Sequence, residues 1–257
     1  MKINKRHLEL FVFLAVYLFA LYMWTLPFQD NRAPYGEFDA ISHWELGDFI
    51  AQRDRTFVYL PPFLDNAYGT DNRFKPHTLW YPPPFHTDFA IISAFSNDRM
   101  VPIFLTNAIF ASSILISVFF VIRKLFGFLP AILSSFMLTF SMRDILPYLW
   151  GQWPERFAYA FIPLILYCFY MYYTTYSKEE NKPIYLYIMS LLLATDLFIH
   201  PMVFFQSLVG IFVLGIALAI KQKKIPFNLK IFSTIYPQLC PQLCPQLFTE
   251  SLVFILQ

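Results

Sequence analysis

The chain has 257 residues, 57% of them apolar, 20% aromatic and only 14% charged, with a net charge of +2. Soluble domains carry about 25% charged residues, so this composition excludes an ordinary water-soluble domain. A mean hydropathy of +0.49 and several long uncharged runs point instead to an integral membrane protein.

Residues 10–28 form the first uncharged run, flanked by Lys2, Lys5 and Arg6. It is longer than a signal-peptide core and no small-residue cleavage site follows, so the sequence predicts a retained transmembrane helix. Tyr22 and Trp24 near its far end suit an interfacial aromatic belt. Residues 29–99 then turn polar, with ten acidic and six basic residues. Pro61-Pro62 and the run Tyr81-Pro-Pro-Pro84 make parts of this loop extended and stiff, because proline fixes φ and restricts the residue before it. Two helices are predicted inside the loop, over 38–53 and 85–96, the second with apolar residues suited to lying along the membrane surface.

Five further apolar segments follow at 100–122, 125–142, 157–177, 184–199 and 201–220, each near or within the length that crosses a hydrocarbon core of about 30 Å. Asp196 is the one carboxylate read inside such a segment. The expected fold class is therefore all-α: a polytopic transmembrane helix bundle of about six helices over residues 1–230, with a long extracytoplasmic first loop containing a membrane-parallel helix. Residues 231–257 contain the unit Pro-Gln-Leu-Cys/Phe three times in succession. A proline every fourth residue spoils a helix, so this part is read as a low-complexity or truncated tail.

Charge placement sets the expected orientation. With a cytoplasmic N-terminus, the inner segments carry Lys2, Lys5 and Arg6, then Arg123 and Lys124, then Lys178 and Lys182, then Lys221, Lys223, Lys224 and Lys230. The outer connections carry only Arg143 and Arg156, and none at His200-Pro201. The expected location is a multi-pass protein of the cell membrane, with loop 29–99 outside and membrane lipid as its surroundings. No basic stripe interleaves with aromatics, so nucleic acid is not an expected partner. Cys168, Cys240 and Cys244 form no CxxC pair, so neither a zinc site nor a redox motif is indicated.

Candidate chemistry collects on that outer side. Glu37 and Asp39 stand at a turn-to-helix boundary, and Asp39 and His43 are four residues apart on one helical face. Such oxygens suit a hard divalent cation such as Mg²⁺ or Mn²⁺; Asp39 can equally act as a general base on a hydroxyl or merely cap the helix. His86 and Asp88 are candidate site residues, with a surface position the favoured reading. Arg143-Asp144 and Glu155-Arg156 flank the segment Trp150-Gly-Gln-Trp-Pro154. Arginines there can grip a phosphate bidentately, or form a local ion pair, or contact lipid headgroups. His200, with Asp196 one helical turn earlier, is either a functional or an interfacial histidine. Together Asp39, His43, His86, Arg143, Glu155, Arg156, Asp196 and His200 point to one outward-facing site able to take a lipid-linked phosphate.

In order and placement these features resemble the C-type glycosyltransferase superfamily, which includes oligosaccharyltransferase catalytic subunits, protein O-mannosyltransferases and lipid A aminoarabinose transferases. The resemblance covers about residues 8–220. It rests on a first helix followed by a large loop with the early acidic motif Glu37-Phe-Asp39, a membrane-parallel helix and the proline-rich return Tyr81-Pro-Pro-Pro84. Gly151-Gln-Trp-Pro-Glu-Arg156 and the His200-Pro201 step resemble uncharacterised, often prokaryotic, members. The resemblance implies a sugar donor on a polyprenyl or dolichyl phosphate and transfer with inversion at the anomeric carbon. It implies Asp39, with Glu37, as metal ligand or base beside His43. It also implies Arg156, with Arg143 and His200, as the donor-phosphate contact. Members commonly have more helices and often a C-terminal soluble domain, whereas this sequence stops after six or seven helices, as expected of a truncated member. A transporter or flippase and a non-catalytic membrane scaffold are the competing readings.

Overall fold

The computed structural model describes residues 5–29, 39–40, 43–44, 47, 83–96, 98, 101–177 and 182–223. Glu37, the proline-rich middle of the loop and the repeat-bearing tail therefore lie outside the described residues. Within them the regular structure is helical, without strands.

Nine helices are bounded among these residues: α1 Lys5–Gln29, α2 Pro83–Ser93, α3 Val101–Phe126, α4 Phe128–Thr139, α5 Met142–Leu149, α6 Trp153–Tyr159, α7 Ile162–Ser177, α8 Ile184–Ile199 and α9 Pro201–Gln222. Four stretches are long and apolar enough to cross a membrane: Lys5–Leu26, Ile103–Phe126, Trp153–Tyr176 and Pro201–Gln222. The chain is thus a multi-pass helical membrane protein. The two remaining segments expected to cross are shorter, at 12 residues for α4 and 16 for α8. At 1.5 Å per residue these reach about 18 Å and 24 Å.

Several helix ends differ from expectation for local reasons. Helix α2 starts inside the proline run rather than after it, because the first turn of a helix needs no backbone N–H from its residues. Helix α3 runs through Arg123 and Lys124 and stops only at Gly127, whose φ of +95° no helix continues. Its other end is capped by Asp98, whose carboxylate accepts the Val101 N–H at 3.1 Å. The segment expected as one helix from 157 starts earlier, at Trp153, with Pro154 in the first turn, and is interrupted by a turn at 160–161.

The chain divides into two compact units, Met1–Ala160 with Phe198–His200, and Phe161–Leu197 with Pro201–Gln257. In the first, α3 and α4 form a hairpin packed on α1. Small buried residues (Ala108, Ala111 and Ser112 on α3, Ala131 and Ser135 on α4) line these helices, and small side chains let membrane helices approach closely. Side chains tie the helices across: Tyr17 and Ser112 hydroxyls lie 3.1 Å apart, and Phe13 stacks on Phe119 at 4.1 Å. Glu9 corrects the expectation that Asp196 alone is a carboxylate within an apolar segment. Helix α1 begins at Lys5, so Glu9 lies inside it, buried, and accepts from Arg123 Nε at 3.0 Å. This pair puts the start of α1 and the end of α3 at one end of the bundle. At the other end, Trp24 Nε1 donates to the Thr139 carbonyl at 3.0 Å.

The second unit packs α7, α8 and α9 around Ile165, Phe169, Tyr173, Met189, Leu193 and Phe204. Gly210 and Gly215 let α9 approach the side chains of Leu166 and Phe169. Outward, α9 carries Val209, Phe212, Val213 and Ile220, all at least 60% exposed. So apolar a surface is stable against lipid, not water.

Candidate functional site

The site forms at the Trp24 end of the first unit. Here the short α5 and α6 are joined by Trp150 and Gly151, and the start of the loop docks onto that turn. The Asp39 N–H donates to the Trp150 carbonyl at 3.3 Å. Gly151 has φ +91°, and a Cβ on it would lie 2.0 Å from the Ala40 nitrogen. Only glycine satisfies both the left-handed backbone and the close approach. Gly47 plays a similar part further along, since a Cβ there would lie 2.7 Å from the Phe89 Cβ. Two glycines thus permit close approaches here, Gly151 to Ala40 and Gly47 to Phe89 on α2.

Aromatic rings fill the space beneath. Trp153 is buried and its indole N–H donates to the Tyr148 carbonyl at 2.9 Å. Phe89 and Phe104 meet Trp153 edge-on at 6.0 and 6.2 Å, and Phe110 stacks on Phe157 at 4.3 Å. Burial pushes the Tyr148 phenol well above its ordinary value, so it stays neutral. Inside this cluster His43 and His86 are both 0% exposed, with His43 Nδ1 and His86 Nε2 2.8 Å apart.

His86 is the clearest correction to the sequence reading, which favoured a surface position for it. The signal was present: Phe85, His86, Phe89 and Ala90 are all buried and recur with helical spacing. The prolines before them masked it by suggesting an extended connector. Asp88 lies off that stripe and is partly exposed, its carboxyl raised above the ordinary range by burial.

The arginines divide. Arg143 is exposed. Arg156 is buried, 2.5 Å from the Asp144 carboxylate, donates to the Arg143 carbonyl at 3.3 Å and lies over the Tyr159 ring at 4.3 Å. Of its donors, Nε has no hydrogen-bond partner among the described residues. The sequence reading named Asp144 but not this pairing, which ties α5 to α6.

His200 comes to the same place. Burial lowers its imidazole below the ordinary value of 6.5, while the carboxylates of Glu155 and Asp39 act in the opposite direction. Two acids, from parts of the chain far apart in sequence, are therefore each in electrostatic reach of this histidine. Asp39 and Glu155 are partly exposed. For a divalent cation, Asp39 supplies one hard oxygen donor. Glu37, its expected companion, lies outside the described residues, and among those described no group of three His, Cys, Asp or Glu side chains is placed to hold a metal. The described donors alone do not complete a metal site.

Asp196 belongs to the second unit. It is fully buried, accepts from the Ser207 hydroxyl at 2.8 Å, and its other oxygen has no partner among the described residues. No protein-family model matches the chain, and no curated protein is significantly similar to it.

Proposed function

We propose that the chain is an integral membrane glycosyltransferase that takes its sugar from a polyprenyl- or dolichyl-phosphate carrier. One observation carries the reading: Asp39 and Glu155 are each in electrostatic reach of His200, and backbone bonding plus Gly151 seat Asp39 at the α5–α6 turn. A partly exposed carboxylate held by its own backbone can act as a general base, because its position does not depend on its charge.

In this proposal loop 29–99 faces outward, α2 lies along the membrane surface and the N-terminus is cytoplasmic, as the distribution of lysine and arginine supports. Asp39 takes the proton from an acceptor hydroxyl. The oxygen attacks the anomeric carbon with inversion, and the bond from that carbon to the carrier phosphate breaks, its electron pair leaving on the phosphate. Arg143, exposed beside the turn, meets the phosphate first, Arg156 offers its remaining Nε–H, and His200 provides a further contact. His43 supports the base from behind. If the protein uses Mg²⁺ or Mn²⁺, Asp39 with Glu37 would be the residues to hold it, and the ion would supply charge to offset that on the donor phosphate.

The test is sugar transfer by the full chain in proteoliposomes, supplied with a polyprenyl-phosphate sugar and a hydroxyl acceptor, with and without Mn²⁺. Asp39→Asn is expected to lower transfer by a factor of about 100 or more, the range for a general base, without changing thermal unfolding. Undiminished transfer in that variant removes Asp39 from the mechanism. Movement of the lipid-linked sugar across the bilayer without transfer favours a flippase, and neither activity favours a non-catalytic scaffold.

A further inference from the structure

His43 and His86 are 43 residues apart in sequence and share one hydrogen bond inside an apolar shell. Their ring centres lie 5.0 Å apart, near parallel. Phe85 meets both rings at 5.6 and 6.4 Å, Phe89 lies 6.2 Å from His86 and Trp153 lies 6.3 Å from His43. Neither ring is exposed.

A nitrogen–nitrogen hydrogen bond holds one proton between a donor and a lone pair. If His43 Nδ1 donates, His43 Nε2 is a base and the proton of a neutral His86 sits on Nδ1. If His86 Nε2 donates, His43 Nε2 carries a proton and His86 Nδ1 is the base. The two tautomers are linked: the neutral pair interconverts only when the central proton shifts from His43 Nδ1 to His86 Nε2 while His86 Nδ1 gives up its proton and His43 Nε2 gains one. Two imidazolium rings at 2.8 Å would point two N–H groups at each other, so the pair accepts no more than one extra proton and titrates as a unit.

We infer that His86 is a positioning residue that links the tautomer of His43 to its own, so that the buried His43–His86 pair changes protonation as one unit. The catalytic use of this linkage rests on the glycosyltransferase reading; the linked tautomers do not. The ionisable groups on the elements packed around the pair are Asp39 on the docked loop segment, Asp88 on α2, and Glu155 and Arg156 on α6.

The direct test is nuclear magnetic resonance of the full chain in detergent with ¹⁵N-labelled histidine. A coupling across the hydrogen bond is expected between His43 and His86. It disappears in His86→Phe, and the His43 ring nitrogens then shift towards an unlinked tautomer mixture. No coupling in the folded wild type overturns the inference without any variant. His86→Gln places an amide where Nε2 stood, restoring a hydrogen bond but no titratable ring. In the active protein, His86→Phe is expected to lower kcat on the order of tenfold with KM unchanged, and to displace the acid limb of the pH–rate profile. His86→Gln recovers kcat but keeps the displaced limb. An unmoved profile in both variants overturns the linkage. Absence of sugar transfer in the wild type instead sinks the glycosyltransferase reading and leaves the spectroscopic result to decide the pair.

Discussion

Hydroxyls in both helical units return to carbonyls of their own helices, as Thr25, Ser113, Ser117 and Thr139 do in the first, but the units differ in the bonds made across the fold. In the first, polar side chains bond across the fold: Trp24 to Thr139, Arg123 to Glu9, His43 with His86, Arg156 to Asp144. In the second, Thr174, Thr175, Ser190 and Thr195 return to carbonyls three or four residues back on their own helices. There, Ser207 bonds between helices to Asp196. Self-satisfied hydroxyls place no demand on a neighbouring helix, whereas cross-element bonds specify a geometry.

The largest break in that contrast is expected at the buried ion pair. Asp144→Ala leaves the Arg156 guanidinium charged, buried and without its counter-ion, at a cost of about 3–5 kcal/mol. Replacing both with apolar residues of similar size is expected to recover most of it. Unfolding in detergent measures both. A cost below about 1 kcal/mol for the single variant would mean that the pair is not desolvated.

A smaller effect separates the two left-handed glycines of the first unit. Gly127→Ala and Gly151→Ala each force a non-glycine residue to positive φ, at about 1–3 kcal/mol. Nothing lies within 4 Å of a Cβ at 127, but the Ala40 backbone blocks one at 151. Gly151→Ala should therefore cost more and also expose loop residues to proteolysis near Asp39. Equal losses and unchanged proteolysis would show that the loop does not rest on this turn.

In the second unit, Ser207→Ala removes the hydrogen bond to Asp196, and a loss of about 1–3 kcal/mol is expected. Thr174→Ala, which loses only a bond to its own helix, should change stability by no more than about 0.5 kcal/mol. Reversed magnitudes would contradict the division drawn between local and cross-helix bonds.

The smallest effect is in pH. His200 is held below 6.5 in the folded chain, so between the folded value and 6.5 the unfolded state binds more protons. Its contribution is complete above pH 6.5 and is lost as pH falls towards the folded value. His200→Gln should flatten this part of the stability–pH curve. An unchanged slope would show that another group produces it.

The helical class and the spanning segments were readable in the sequence because both follow local rules. A backbone in lipid must satisfy its own hydrogen bonds, and an apolar run of sufficient length does so as a helix whatever its neighbours are. Helix ends were misread both at Ile122, where α3 runs on through Arg123 and Lys124 to Gly127, and at Pro83, where proline is as compatible with a helix start as with a connector. The grouping of candidate acids and bases by membrane side also came from sequence, since charge asymmetry is a property of segments. Only the tertiary structure buried His86, paired it with His43, committed Arg156 to Asp144 and brought Asp39 to the Trp150 turn. Each of these depends on which faces of separate elements meet, and neither residue type nor spacing along one element carries that information.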